Sequence, residues 1–199
     1  MVADVSKRAL AAGLLVCSFW ASAASASHTA VEWRVSEGGN GHFYEVVFIG
    51  PYNWAEASTR AGRSTRDGLT GYLATITSAG EQAFVQSLLP QTLRQYYFIG
   101  GVQDPAGAEP DGGWSWVTGE PWSYTNWSAD PPEPNDSDGE DYLTLQFPNI
   151  GGGGWNDIGG DALMTGVIIE YGVVPEPTAA LLLPVGLALL LRRRAAAPR

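Results

Sequence analysis

The sequence is poor in the residues that most often carry reaction chemistry or staple a fold. Its 199 residues hold one cysteine, Cys17, and two histidines, His28 and His42. That excludes an internal disulfide and a cysteine-based zinc site, and it leaves no credible Cys–His or Ser–His nucleophile set. Positive charge is equally scarce. No Lys or Arg occurs between Arg94 and Arg192. From His28 to Val174 only Arg34, Arg60, Arg63, Arg66 and Arg94 oppose nineteen carboxylates, a net charge of −14. Twelve of those carboxylates lie between Asp104 and Asp161. Such a surface repels nucleic acid and anionic membranes and attracts cations. Long apolar runs are missing too, since neither terminal apolar stretch reaches the roughly 20 residues of a comfortable membrane span.

What is present at the two ends reads as processing signals. Lys7 and Arg8 precede an apolar stretch from Ala9 to Trp20, followed by Ala21-Ser22-Ala23 and Ala24-Ser25-Ala26. This order predicts a cleaved secretory signal peptide over residues 1–26, with a membrane anchor as the alternative. Cys17 would leave with it. A domain over residues 28–173 can bury a core without a disulfide. At the other end, Val174-Pro175-Glu176-Pro177 precedes an apolar segment from Thr178 to Leu191 and the cluster Arg192-Arg193-Arg194. Arginines after an apolar run stay on the cytoplasmic side. Residues 174–199 resemble the PEP-CTERM sorting tail of Gram-negative bacteria. The resemblance implies transient inner-membrane anchoring, recognition by a sorting peptidase (exosortase), and delivery to the cell envelope or extracellular matrix. A permanent single-pass anchor is the alternative.

Between the ends, the first half alternates strand and helix. Gly41 to Phe48 is rich in β-formers. A helix from Tyr52 to Ala61 has Asn53 at its N-cap and Trp54, Ala57 and Ala61 at helical spacing. Arg60 to Gly71 reads as a loop and Gly71 to Ile76 as a short strand. Ser78 caps a second helix, with Glu81 placed for a capping box, an apolar face of Phe84, Val85, Leu88 and Leu89, and Pro90 as terminator. Tyr96 to Val102 is a buried strand. From Gln103 to Gly160, Gly, Pro, Asp and Trp dominate, with short strands expected at 113–117 and 141–146, and another beyond at 167–171. So long an irregular stretch is functional or disordered. Trp114, Trp116, Trp122, Trp127 and Trp155 argue for a loop folded on its own side chains and on metal. The class is α+β.

Glu133, Asn135, Glu140, Asn156 and Asp157 offer hard oxygen donors in two clusters, the donor type calcium prefers. Pro134 stands between two of them, and a cis Glu133-Pro134 bond would turn both side chains toward one point. A merely solvated acidic face is the bland alternative. It does not explain two asparagines and a proline among the carboxylates. A Glu133–Glu140 hydrolase pair is disfavoured because a shared cation would hold both ionised. The run Gly151 to Gly154 lacks the lysine and the following helix of a phosphate loop.

In order along the chain stand Tyr72-Leu73-Ala74-Thr75-Ile76, Tyr97-Phe98-Ile99-Gly100-Gly101, Trp114-Ser115-Trp116, Tyr124-Thr125-Asn126-Trp127, Glu133-Pro134-Asn135, Gly139-Glu140-Asp141 and Trp155-Asn156-Asp157. This series, from about Gly41 to Tyr171, resembles the C-type lectin-like domain. The resemblance implies two helices, a small antiparallel sheet and a long calcium-binding loop region. It further implies that Glu133, Asn135, Glu140, Asn156 and Asp157 hold a calcium ion and bond two sugar hydroxyls. Glu-Pro-Asn implies mannose-type sugars with equatorial 3- and 4-hydroxyls. A second calcium would draw on Asp136, Glu140 and Asp141, with Asp104 and Asp111 or Glu109. The family's cysteine positions fall at Ala61, Tyr142, Gly160 and Ile169, so packing would replace the bridges. The expected function is calcium-dependent carbohydrate binding without enzymatic activity. The alternative is a calcium-stabilised protein-interaction or matrix-structural module.

Overall fold

The computed structural model describes residues 29–90, 95–146 and 151–173. The expected signal peptide and sorting tail lie outside them. Among the described residues, no helix is long and apolar enough to cross a membrane.

The strands are β1 (Val31–Glu32), β2 (Phe43–Tyr52), β3 (Thr65–Arg66), β4 (Leu69–Thr70), β5 (Tyr72–Leu73), β6 (Tyr96–Gln103), β7 (Trp114–Trp116), β8 (Tyr142–Gln146), β9 (Trp155–Ile158) and β10 (Met164–Tyr171). The helices are α1 (Trp54–Gly62) and α2 (Ala79–Ser87). One sheet runs β1-β2-β10-β6-β8-β9, with β5 on β10 and β7 on β6, and only β10–β6 is parallel. The α+β class, two helices and mostly antiparallel sheet match the sequence reading.

Local chemistry explains the helices. Asn53 Oδ1 accepts from Glu56 N at 2.9 Å and Asn53 N donates to Glu56 Oε2 at 3.1 Å, a complete capping box that satisfies two otherwise orphaned donors. Ala57 and Ala61 are fully buried, and their small size lets α1 lie close to Phe98, Val167 and Ile169. In α2, Ser78 Oγ accepts from Glu81 N at 3.2 Å, but the expected reciprocal bond is absent. Glu81 instead accepts from Thr77 N at 2.7 Å and from the Tyr44 hydroxyl. Thr77 N–H and hydroxyl take Oε2 in place of the Ser78 N–H, and Tyr44 satisfies Oε1, so that a carboxylate only 2 % exposed keeps both oxygens bonded.

Three expectations are corrected. The loop expected at 60–71 contains a hairpin, β3–β4, whose turn residues Asp67 and Gly68 both have positive φ, at 49° and 83°. Asp-Gly is the signal for that two-residue turn. The strand expected over 71–76 ladders only at Tyr72 and Leu73. Trp155 to Ile158, read only as ligands, is a strand paired with β8 through Leu143–Asp157 and Thr144–Asn156.

The tryptophans are structural, as expected. Trp155 is fully buried and meets Trp116 edge-on at 5.5 Å, while Trp122 packs between Trp114 (5.8 Å) and Trp116 (4.6 Å). Gln103 closes the turn before β7, donating to Glu109 Oε2 at 2.6 Å and Gly112 O at 2.7 Å. At the four positions where the resemblance put the family's cysteines, Ala61 and Ile169 share one core cluster, and the Tyr142 ring lies against Gly160.

Candidate metal centre

Asp157 organises the acidic loop. β-Pairing with Leu143 holds it in the sheet, and its side chain is fully buried. Its carboxylate accepts Asn135 N at 3.0 Å and Asp136 N at 2.7 Å. Two backbone N–H groups thus fasten the loop to β9. The Glu133-Pro134 bond is cis, and Asn135 Nδ2 donates to Glu133 Oε2. Beyond, Asp136, Asp138 and Gly139 take left-handed conformations with φ of 48°, 66° and 85°. They reverse the chain so that Glu140 N donates to Asp136 Oδ1 at 2.9 Å and Glu140 Oε2 accepts from Ser137 N at 3.1 Å.

The electrostatics of this loop report crowding of like charge. Glu133 is pushed up to about 7, first by burial, then by the charge of Asp157 and a hydrogen bond shared with it, with Asn135 opposing and Glu140 adding. Glu140 is also raised, first by burial and then, against the Ser137 N–H, by Asp157, Asp136 and Asp138. A cation placed here would relieve that repulsion.

Hydrogen bonds therefore link Asn135 to Glu133 and to Asp157, and Glu140 to the Asp136 that Asp157 also holds. Asn156 stands next to them, but its Nδ2 donates to the Asp157 carbonyl and its Oδ1 receives Gln146 Nε2 at 3.5 Å. Of the second set, Asp136 and Glu140 are joined directly. Gln103 N donates to Asp141 O at 2.9 Å, which runs the Asp104 end of β6 beside Asp141. Asp104 Oδ1 accepts from Ala106 N at 3.0 Å within its own turn, and Glu109 is committed to Gln103. Asp111 is exposed on the same turn. Among the described residues, no three His, Cys, Asp or Glu side chains stand at metal-holding spacing. The donor chemistry nevertheless fits calcium: carboxylate and amide oxygens without sulfur or imidazole among the candidate ligands, in a stretch whose sequence holds no Lys or Arg from Gln95 to Leu191.

Sequence reasoning missed the residues that support this loop from a distance. Gln82 Oε1 accepts Trp155 Nε1 at 2.8 Å, and Gln82 and Gln86 both donate to Gly153 O. Thr144 Oγ1 donates to Asn156 O at 3.0 Å. No local pattern announces partners some 70 residues apart.

A model of the lectin C-type domain matches residues 51–162, more than half of the sequence. The chain belongs to the C-type lectin domain family. Halomucin of Haloquadratum walsbyi is 31 % identical over 153 residues, 70 % of this chain and 2 % of halomucin. Regenerating islet-derived protein 3-alpha of Mus musculus is 34 % identical over 93 residues, 45 % of this chain and 50 % of that protein. The chain thus spans half or less of these curated relatives. Among solved structures, an EPNH mutant of CEL-I, a C-type lectin from Cucumaria echinata, superposes with a TM-score of 0.55 at 25 % identity, covering 67 % of this chain and 91 % of that one. As a C-type lectin domain, the chain carries its acidic loop within the matched region.

Proposed function

We propose that this C-type lectin domain binds carbohydrate through calcium held by Glu133, Asn135, Glu140, Asn156 and Asp157. The carrying observation is the buried Asp157 carboxylate, which holds the Asn135 and Asp136 backbone N–H groups against β9. Calcium bound there would supply coordination for two sugar hydroxyls. The chain's own groups complement it: carboxylates accept hydroxyl protons, while the amides of Asn135 and Asn156 donate to hydroxyl oxygens. Asn156 must release the Asp157 carbonyl to take part. Glu133-Pro134-Asn135 favours mannose-type sugars over galactose. No catalytic step is assigned. We place the protein outside the cell or in its envelope, exported by the 1–26 segment and sorted through the 174–199 tail. One sugar offers few contacts, so useful binding requires repeated sites.

A glycan array with calcium tests the reading on the wild type and Asn135→Asp. Mannose-type binding by the wild type, lost in a variant of unchanged fold, is the expected result. Absence of binding by either would favour the calcium-stabilised interaction module.

A further inference from the structure

A second feature of the domain carries two arginines beside one glutamate. A cavity of about 390 Å³ opens beside α1, lined by Tyr52, Asn53, Glu56, Thr59, Arg60 and Arg63. That volume lies within the roughly 300–1,000 Å³ of small-molecule sites. It shares no residue with the acidic loop.

The cations of the domain are unequally used. Arg34 pairs with Glu32 and Glu37, and Arg66 pairs with Asp67 while lying 4.3 Å over the Phe43 ring. No ion pair or side-chain hydrogen bond engages the Arg60 or Arg63 guanidinium among the described residues. Both are exposed, and their i, i+3 spacing puts them on one side of the helix end. The helix dipole favours a cation at this end. It does not account for two unpaired guanidiniums in one cavity on a domain of net charge −14.

The remaining walls bear on the ligand. Glu56 spends Oε2 on the Asn53 backbone, and Asn53 spends Oδ1 on the Glu56 backbone. The Asn53 amide N–H groups and the Thr59 hydroxyl stay uncommitted among the described residues. Tyr52 adds an aromatic ring. Guanidinium forks match a planar carboxylate, and the amide, hydroxyl and ring match a saccharide's hydroxyls and apolar face.

We propose that the α1 cavity, through Arg60 and Arg63, binds an acidic sugar unit of the uronate class, independently of calcium. The site would give the domain a hold on acidic polysaccharide separate from the metal loop.

Calorimetric titration of the protein in EDTA tests this, with a galacturonate trisaccharide, a mannose trisaccharide and sodium sulfate as ligands. The galacturonate trisaccharide should bind. Its affinity should fall about tenfold or more in Arg60→Gln/Arg63→Gln and on raising salt from about 50 to about 500 mM. It should be unchanged in Asn135→Asp, which separates this site from the calcium loop. Both arginines are exposed and glutamine keeps helix propensity, so the variant should stay folded, its melting temperature lowered only by the lost charge–dipole contact. Three results would overturn the proposal: no galacturonate binding, equal binding by the double variant, or sulfate or the neutral trisaccharide binding as tightly as galacturonate.

Discussion

The ring of Tyr142 lies against Gly160, so closely that a Cβ there would stand 2.9 Å from Cε2. The ring also packs on Trp54, with centroids 4.8 Å apart. Noncovalent contact thus ties β8 to the loop before β10 and to α1. Gly160→Ala should therefore overpack the contact and cost about 1–3 kcal/mol. Urea unfolding checks this; an unshifted midpoint would mean that the ring moves aside freely.

Gln82 is the second support. It is 5 % exposed and receives the Trp155 indole N–H. Gln82→Ala should strand that donor in a dry core and cost about 1–3 kcal/mol. Thermal melting in EDTA isolates the effect from metal.

His42 gives the fold a pH dependence outside the acidic loop. Its Nδ1 sits 2.6 Å from Glu170 Oε1. The hydrogen bond to Glu170 raises its pKa above 6.5, with burial opposing and the charges of Glu170, Glu120 and Glu81 adding. The protonated form is thus bound more tightly in the folded state than in the unfolded chain. The stabilisation is complete below the unfolded value and is lost as pH rises through the higher folded value. The melting-temperature advantage of wild type over His42→Gln should therefore shrink from mildly acidic to alkaline pH. A constant advantage would contradict the pairing.

Glu133 should respond to its neighbour. In Asp157→Asn the charge of Asp157 disappears, while the amide oxygen can still accept one of the two backbone N–H groups that hold the loop. The Glu133 pKa should fall from about 7 without reaching that of a free carboxylate. Carboxyl-carbon NMR titration in EDTA reads this directly, and an unmoved value would show that the two groups are not in contact.

Much of this arrangement is legible in the residue order, and the exceptions have physical causes. α1 announces itself because its cap and its buried alanines are local signals. β6 does so because Tyr97, Phe98 and Ile99 form a buried apolar run. β9 is concealed because its inward positions alternate a tryptophan with an aspartate, and Asp157 points inward to hold Asn135 and Asp136. The apolar alternation that marks a strand is therefore broken. Glu81 misleads for a related reason: its carboxylate is shared between Thr77, one residue before the cap, and Tyr44 in the packed core. The β3–β4 hairpin was readable from Asp67-Gly68, whose signal the surrounding polar residues mask. The candidate ligands stood out through the Glu-Pro-Asn and Trp-Asn-Asp pattern. Which backbone groups Asp157 would hold did not.

In the proposed function the acidic loop holds calcium and calcium recruits sugar. The most direct measurement is the melting temperature of the metal-free protein as calcium, and then mannose, is added. Calcium at about a hundredfold excess over its Kd should add about 2.7 kcal/mol of stability. Mannose should raise the melting temperature further only when calcium is present. A melting temperature indifferent to calcium would contradict the account.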